Sequence, residues 1–487
     1  MFQKLITKYG LATHLALLAS LPCALQPFLQ GHDLGITILW LSGIAGLWLL
    51  VEPSILTGEH LSSARARVRR EVVRDPLFWF FLVAAVFAAI RWLNSGVALH
   101  YDTEQAAWSV APAAVDVLPA SAGDSGFVPF AVVVGVGVLS LGLLHGLGLM
   151  ARISFGVVAG FLFGLAGLIC AILVCFGYAP LEQLARVGGF LSRPPVAPAP
   201  FYGTSYGLAL MMSLIAGSQA EARKWSVARP FFCVAVAGNL AGLLFFSPPI
   251  LAIGCLVVIG LFSAFAFVQQ SRSGSLGGVA YSLTMLVFGA ALAVCLLLAL
   301  APEVVVKAKT EGVNLTIAFP ENYRQVSTLL DGISRTMWKQ SPWGGVGVGA
   351  FNLQAQFLAE KADWELLSPG VSSALNGYWT VLAERGILGC FLLLCMGCLF
   401  VFSWVRNLVR AVIFMRTRDD ADIFVFACAP MAWVAPVALA VFCAEAYFSP
   451  VFSCSVTLFA VVAIVALSAA SFPRAPKPRV AVADQAD

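Results

Sequence analysis

Phe127-Val-Pro-Phe-Ala-Val-Val-Val-Gly-Val-Gly-Val-Leu-Ser-Leu-Gly-Leu-Leu-His-Gly-Leu-Gly-Leu149 is a continuous apolar run without Asp, Glu, Lys or Arg. It exceeds the about 20 residues with which a helix crosses a hydrocarbon core about 30 Å thick. A barrel strand in lipid would alternate apolar and polar residues, and this run does not, so it predicts a membrane-spanning helix. Runs of the same kind lie near residues 11 to 29, 34 to 52, 76 to 92, 154 to 177, 204 to 219, 230 to 246, 250 to 269, 276 to 300, 386 to 405, 422 to 444 and 450 to 471. Twelve spans of an all-α polytopic membrane protein are therefore expected.

Composition agrees. The chain has 487 residues, 60% of them hydrophobic and 11% charged, with mean hydropathy +0.90, whereas a soluble domain carries about 25% charged residues. That excludes a water-soluble globule. The first span lacks a small-residue cleavage site and precedes further spans, which predicts an anchor rather than a removed signal peptide. All 12 cysteines fall in apolar runs, so neither a disulfide framework nor a zinc site is expected. No nucleic-acid signature accompanies the net charge of +4.

The positions of the charges explain that net charge. With a cytoplasmic N-terminus, alternate connections collect Arg65, Arg67, Arg69, Arg70 and Arg74, then Arg223, Lys224 and Arg229, then Arg406, Arg410, Arg416 and Arg418. Outside the longest loop, that side holds 19 Lys plus Arg and the opposite side only Arg91, Arg186 and Arg193. Basic residues in short connections stay in the cytoplasm, so both termini are expected inside a bacterial inner membrane. Residues 1–300 form the first nine spans, 301–385 a large, partly helical periplasmic loop, 386–471 the last three spans, and 472–487 a tail expected to be disordered.

The loop is the functional candidate, because long connections in compact bundles are functional or disordered, and this one mixes Trp338, Trp343, Phe351, Trp364 and Trp379 with glycine punctuation. It contains Ser341-Pro-Trp-Gly-Gly-Val-Gly-Val-Gly-Ala-Phe351, then Ala374-Leu-Asn-Gly-Tyr-Trp-Thr-Val-Leu-Ala-Glu-Arg-Gly-Ile-Leu-Gly389. This order resembles the O-antigen ligase and O-antigen polymerase superfamily, in which a Pro-x-x-Gly-x-Gly-x-Gly-x-Phe turn precedes an Ala-His-Asn segment and a Glu-x-Gly-Ile-Leu-Gly helix start. Gly203-Thr-Ser-Tyr-Gly-Leu-Ala209 is a supporting match.

The resemblance implies a glycosyltransferase of GT-C type membrane fold that needs no metal or other cofactor. Its partners would be an undecaprenyl-pyrophosphate-linked glycan, a lipid or glycan acceptor and membrane lipids, with no nucleic acid. Arg324 or Arg335 would contact the diphosphate, an arginine being suited to the charge on that leaving group. Glu384 stands at the family's acidic position, with helix-dipole complementation as its structural alternative. Pro342, Gly345, Gly347, Gly349, Phe351 and Asn376 would bind substrate, the glycines by positive φ and exposed N–H groups or merely by making a turn. Arg272, following Ser271, matches a family Ser-Arg pair in wording, whereas the topology puts it in the cytoplasm. Asp331, Glu360, Asp363 and Glu365 are candidate general bases. Leu375 stands where the family has histidine, and leucine can neither accept a proton nor position a hydroxyl. Two alternatives follow: a family member without activity that serves polysaccharide assembly, or a membrane transporter.

Overall fold

A computed structural model of the chain describes residues 32–53, 60–102, 107–111, 120–122, 126–147, 149–176, 202–222, 228–246, 256–257, 260, 287, 321–359, 374, 376–416, 434–448, 452 and 455–470. Helices dominate them. In chain order they are α1 (His32–Val51), α2 (Leu61–Val73), α3 (Pro76–Leu93), α4 (Phe127–Leu141), α5 (Leu149–Cys175), α6 (Tyr202–Ala222), α7 (Ala228–Phe246), α8 (Glu321–Gln340), α9 (Ala350–Leu358), α10 (Gly377–Arg416), α11 (Val434–Phe448) and α12 (Ser455–Ala470). A π-helical turn, Gly142–Gly146, continues α4. Between α3 and α4, β1 (Ala98–Asp102) and β2 (Ala107–Ala111) pair antiparallel, so this connection contains strand.

Among the described residues, four helical stretches are long and apolar enough to cross a membrane: Pro76–Leu93, Phe127–Gly146, Arg152–Leu173 and Gly377–Asn407. Trp40–Val51, Ser205–Leu214, Pro230–Leu244 and Val434–Tyr447 are shorter apolar stretches. The expected span at 11 to 29, nearly all of those at 250 to 269 and 276 to 300, and the first part of that at 422 to 444 lie outside the described residues. The span expected from residue 386 is the part of α10 that follows a break in the helix at Gly386, and residues 377–385 form the helical segment before that break. Asn376 starts that segment: its Oδ1 accepts from the N–H groups of Tyr378 (2.9 Å) and Trp379 (3.3 Å) and caps it.

The main core lies where α5, α6, α7 and α12 meet, around Phe163, Tyr206, Met212, Val236 and Ile464. Small residues let these helices approach: the Asn239 side chain on α7 donates to the Gly160 carbonyl on α5 at 3.0 Å. A second cluster forms on the loop. Val326, Leu330, Ile333 and Met337 recur at helical spacing along α8 and pack on Phe351 and Ala355 of α9 and Ala383 of α10.

Helices α3 and α10 run antiparallel and touch at both ends. Arg91 of α3 donates to the Glu384 carbonyl of α10. At the opposite end Arg406 of α10 lies 3.7 Å from Asp75, which caps the start of α3 by accepting from the Leu77 N–H at 3.1 Å. His145 of the π turn joins Asp75 at 3.0 Å and Glu71 of α2 at 3.7 Å. The arginines of α2 adjoin this second end, and the motif-bearing loop adjoins the first.

Candidate functional site

Gly386 breaks α10 with φ +63° and ψ −166°. In an unbroken helix the N–H groups of Ile387 and Leu388 would bond the carbonyls of Ala383 and Glu384. The break releases all four groups, and the glycine turn takes each of them. The Ile387 N–H donates to the Pro342 carbonyl (2.9 Å) and the Leu388 N–H to the Trp343 carbonyl (3.2 Å). In return the Val346 N–H donates to the Ala383 carbonyl (2.9 Å) and the Gly347 N–H to the Glu384 carbonyl (3.2 Å). Every buried backbone group needs a partner, and this exchange supplies them between segments distant in sequence.

The backbones approach too closely for side chains. A Cβ on Gly345, where φ is +73°, would sit 2.3 Å from the Glu384 carbonyl carbon, and one on Gly386 would sit 2.3 Å from the Trp343 oxygen. On its far edge the turn pairs with residues 120–122: the Val348 N–H donates to the Ala120 carbonyl (3.1 Å) and the Ala122 N–H to the Val348 carbonyl (2.8 Å). The segment after α3 thus holds one side of the turn and α10 the other.

Two charged groups lock this arrangement. Arg91 is 2% exposed. Its Nη2 donates to the Gly344 carbonyl at 2.6 Å and its Nη1 to the Glu384 carbonyl at 3.5 Å, while the guanidinium lies 4.7 Å over the Phe87 ring. The Glu384 carboxylate is also buried, and its Oε1 accepts from the Gly349 N–H at 2.9 Å, with the Phe351 N–H as a further donor. Gly349 is the cap residue of α9, so Glu384 satisfies the first N–H groups of that helix and faces the positive end of its dipole.

The residues expected to act divide into two sets. Gly345, Gly347 and Gly349 do have positive φ, but their N–H groups are bound to Ser341, Glu384 and the Glu384 carboxylate, which leaves none of them for a phosphate. Glu384 complements a helix dipole as its structural alternative had it, but the helix is α9 rather than its own. Phe351 is buried in the α8–α9–α10 cluster, and Asn376 is engaged as the α10 cap. Pro342 is exposed while its carbonyl serves the turn.

Arg335 belongs to the second set. It is exposed on α8, with its guanidinium 5.0 Å over the Trp379 ring of α10. Asp331, one helical turn earlier, has a buried Oδ1 without a hydrogen bond among the described residues. Burial pushes its carboxyl above the ordinary aspartate value, against the pull of Arg335. The Arg385 side chain is half-buried and makes no side-chain hydrogen bond among the described residues, though its charge interacts with that of Glu384. Arg324 lies on α8 but its side chain falls outside the described residues, as do Arg272, Leu375, Glu360, Asp363 and Glu365 entirely.

Arg91 was not among the residues expected to act. Its signal was present, since an arginine inside an apolar run marks function by default. The chain matches no protein-family model, no curated protein and no solved structure.

Proposed function

We propose that this protein transfers a glycan from an undecaprenyl-pyrophosphate carrier to a lipid, polysaccharide or protein acceptor, in the manner of O-antigen ligases and polymerases. It would do so at the outer face of a bacterial inner membrane, with twelve spans and both termini in the cytoplasm. The observation that carries the reading is the docking of the two motif segments, 341–351 and 384–389, on one another at the end of a span. That is where a lipid-linked donor brings its diphosphate to the water boundary.

The two sets of residues then take different work. Arg91, Glu384, Asn376 and the glycines are positioning residues that hold α8, α9 and α10 in register. The exposed Arg335, with Arg385 beside the turn, offers guanidinium groups to the diphosphate. An acceptor hydroxyl oxygen attacks the anomeric carbon as the bond from that carbon to the diphosphate oxygen breaks. The hydroxyl proton passes to a carboxylate, for which the raised affinity of Asp331 for protons is suitable. Undecaprenyl diphosphate leaves with the added negative charge, which the arginines stabilise.

The test is release of undecaprenyl diphosphate from a purified glycan donor in the presence of acceptor. Wild-type protein should release it, and Arg335→Gln should slow release by about 10²-fold or more, as loss of a transition-state charge partner does elsewhere. Absence of release with every acceptor, while donor binding persists, would replace this reading with that of an inactive assembly protein. Leu375 is the residue that favours the second reading.

A further inference from the structure

Helix α2 connects α1 to α3 and packs on both and on the π turn. Its buried stripe is Ala64, Val68 and Val72, spaced four residues apart, and the remaining surface carries Arg65, Arg67, Arg69, Arg70 and the adjoining Arg74. Not all of these face outward for a ligand. Arg65 donates to the last-turn carbonyl of Val51 at 2.7 Å and so finishes α1. Arg69, Arg70 and Arg74 are exposed and make no side-chain hydrogen bond or ion pair among the described residues.

The nearby described acids do not neutralise them. Asp75 and Glu71 turn inward to His145, and Asp75 also meets Arg406. Glu52 accepts from the Trp48 indole N–H at 2.9 Å. What remains is an outward cationic face of three guanidinium groups.

Two tryptophans mark the plane in which this face lies. Trp48, in the last turn of α1, and Trp79, in the first turn of α3, are both exposed. Each indole N–H is held at the α2 side, by Glu52 and by the Val73 carbonyl at 2.9 Å respectively. Rings placed on the apolar flank with their polar edge held at the boundary are the arrangement of an interfacial aromatic belt. Helix α2 therefore lies at headgroup level, its apolar stripe on the bundle and its arginines beside the lipid.

We propose that Arg69, Arg70 and Arg74 form a binding surface for the phosphate groups of anionic phospholipids, in the leaflet at the opposite end of α3 from the glycine turn. Guanidinium groups pair bidentately with phosphate, and a basic juxtamembrane helix attracts anionic headgroups. The membrane-spanning reading of α3 is the only premise shared with the proposed function, so failure of glycan transfer leaves this inference standing.

The experiment uses the full-length protein reconstituted in phosphatidylcholine with a minority of phosphatidylglycerol. Native mass spectrometry reads which lipids remain bound, and thermal unfolding reads their stabilising effect. Wild-type protein should retain phosphatidylglycerol preferentially, by about fivefold per arginine over its bulk fraction, and lose the preference in high salt. The triple variant Arg69→Gln, Arg70→Gln, Arg74→Gln should retain lipids at the bulk ratio while melting normally in phosphatidylcholine alone. The corresponding triple lysine variant should keep the preference, because a point charge still attracts phosphate. Equal phosphatidylglycerol retention by wild type and glutamine variant would overturn the proposal, as would wild-type retention that salt does not change. Stabilisation of wild type by inorganic phosphate as strong as by phosphatidylglycerol would also overturn it, reducing the surface to a simple anion site. Should the glutamine variant fail to fold, the salt dependence of wild-type retention decides alone.

Discussion

Arg91→Met should loosen the glycine turn while the helical core stays folded. Methionine fills most of the same volume against Phe87 but offers no donor. The 2.6 Å bond to the Gly344 carbonyl is charge-assisted and contributes about 1.5–3 kcal/mol, whereas the 3.5 Å contact to the Glu384 carbonyl is at the limit of a hydrogen bond and adds little. Losing the positive charge beside the buried Glu384 carboxylate adds to the cost. The sum is about 2–4 kcal/mol, or an opening equilibrium roughly 30- to 1000-fold larger at 1.4 kcal/mol per decade. Hydrogen exchange in detergent reads it directly, because the N–H groups of Val346, Gly347 and Gly349 are protected by bonds to α10. Peptides covering 341–351 should exchange faster by that factor, while those covering 152–173 in α5 should be unchanged. Unaltered exchange across 341–351 would refute the assignment of Arg91 as the lock.

Gly386→Ala meets both a backbone conformation essentially confined to glycine and a Cβ 2.3 Å from the Trp343 oxygen. It should cost more than about 3 kcal/mol in thermal or denaturant unfolding, whereas Gly332→Ala, on exposed α8 with nothing within 4 Å of its Cβ, should stabilise by about 0.5–1 kcal/mol. Asp75 is raised by burial but lowered more by His145, the Leu77 N–H and Arg406, leaving its carboxyl below the ordinary 3.8. Its contribution is therefore complete above that value and lost as pH falls through the lower folded value, so the stability gap between wild type and Asp75→Asn should close as the solution becomes strongly acidic. Asp331 is shifted the opposite way, so its ionised form carries a penalty that grows as pH rises from the ordinary carboxylate value and is complete past the higher folded value. Asp331→Asn should raise the melting temperature at neutral pH, and the gain should vanish below the ordinary carboxylate range.

Much of the helical class was legible because an apolar run without charge has one outcome in lipid, a helix. Positive φ at Gly345, Gly347 and Gly349 was also legible, since alternating glycines advertise a turn that other residues resist. What those glycines serve was not. The N–H groups of Gly347 and Gly349 meet α10 and that of Gly345 meets Ser341, and nothing local to residues 341–351 encodes the Gly386 break that frees α10 to receive them. Arg91 escaped for the same reason. Its partner, the Gly344 carbonyl, lies 253 residues away, and a contact across that separation leaves no trace in periodicity. Glu384 shows the limit most clearly: its position just before a membrane helix pointed to a helix dipole, but only the fold reveals that the dipole belongs to α9.

The paired ends of α3 and α10 constrain how the molecule can sit in a bilayer. From Asp75 to Arg91 the helix rises about 24 Å, and from Glu384 to Arg406 about 33 Å, at about 1.5 Å per residue. Helices of unequal length that meet at both ends must differ in tilt or bend, and the break at Gly386 supplies a bend at one end. Both rises bracket the about 30 Å of a hydrocarbon core. Sliding either helix to bring Arg91 toward the midplane would carry the Asp75, His145 and Arg406 cluster out of its own boundary, exposing the apolar flank of Trp79 to water while burying Arg91 and Glu384 in lipid. With α3 and α10 spanning the bilayer as proposed, the two charged ends fix each other's depth. The glycine turn is held at one end by the same pair of helices that holds the α2 arginines at the other.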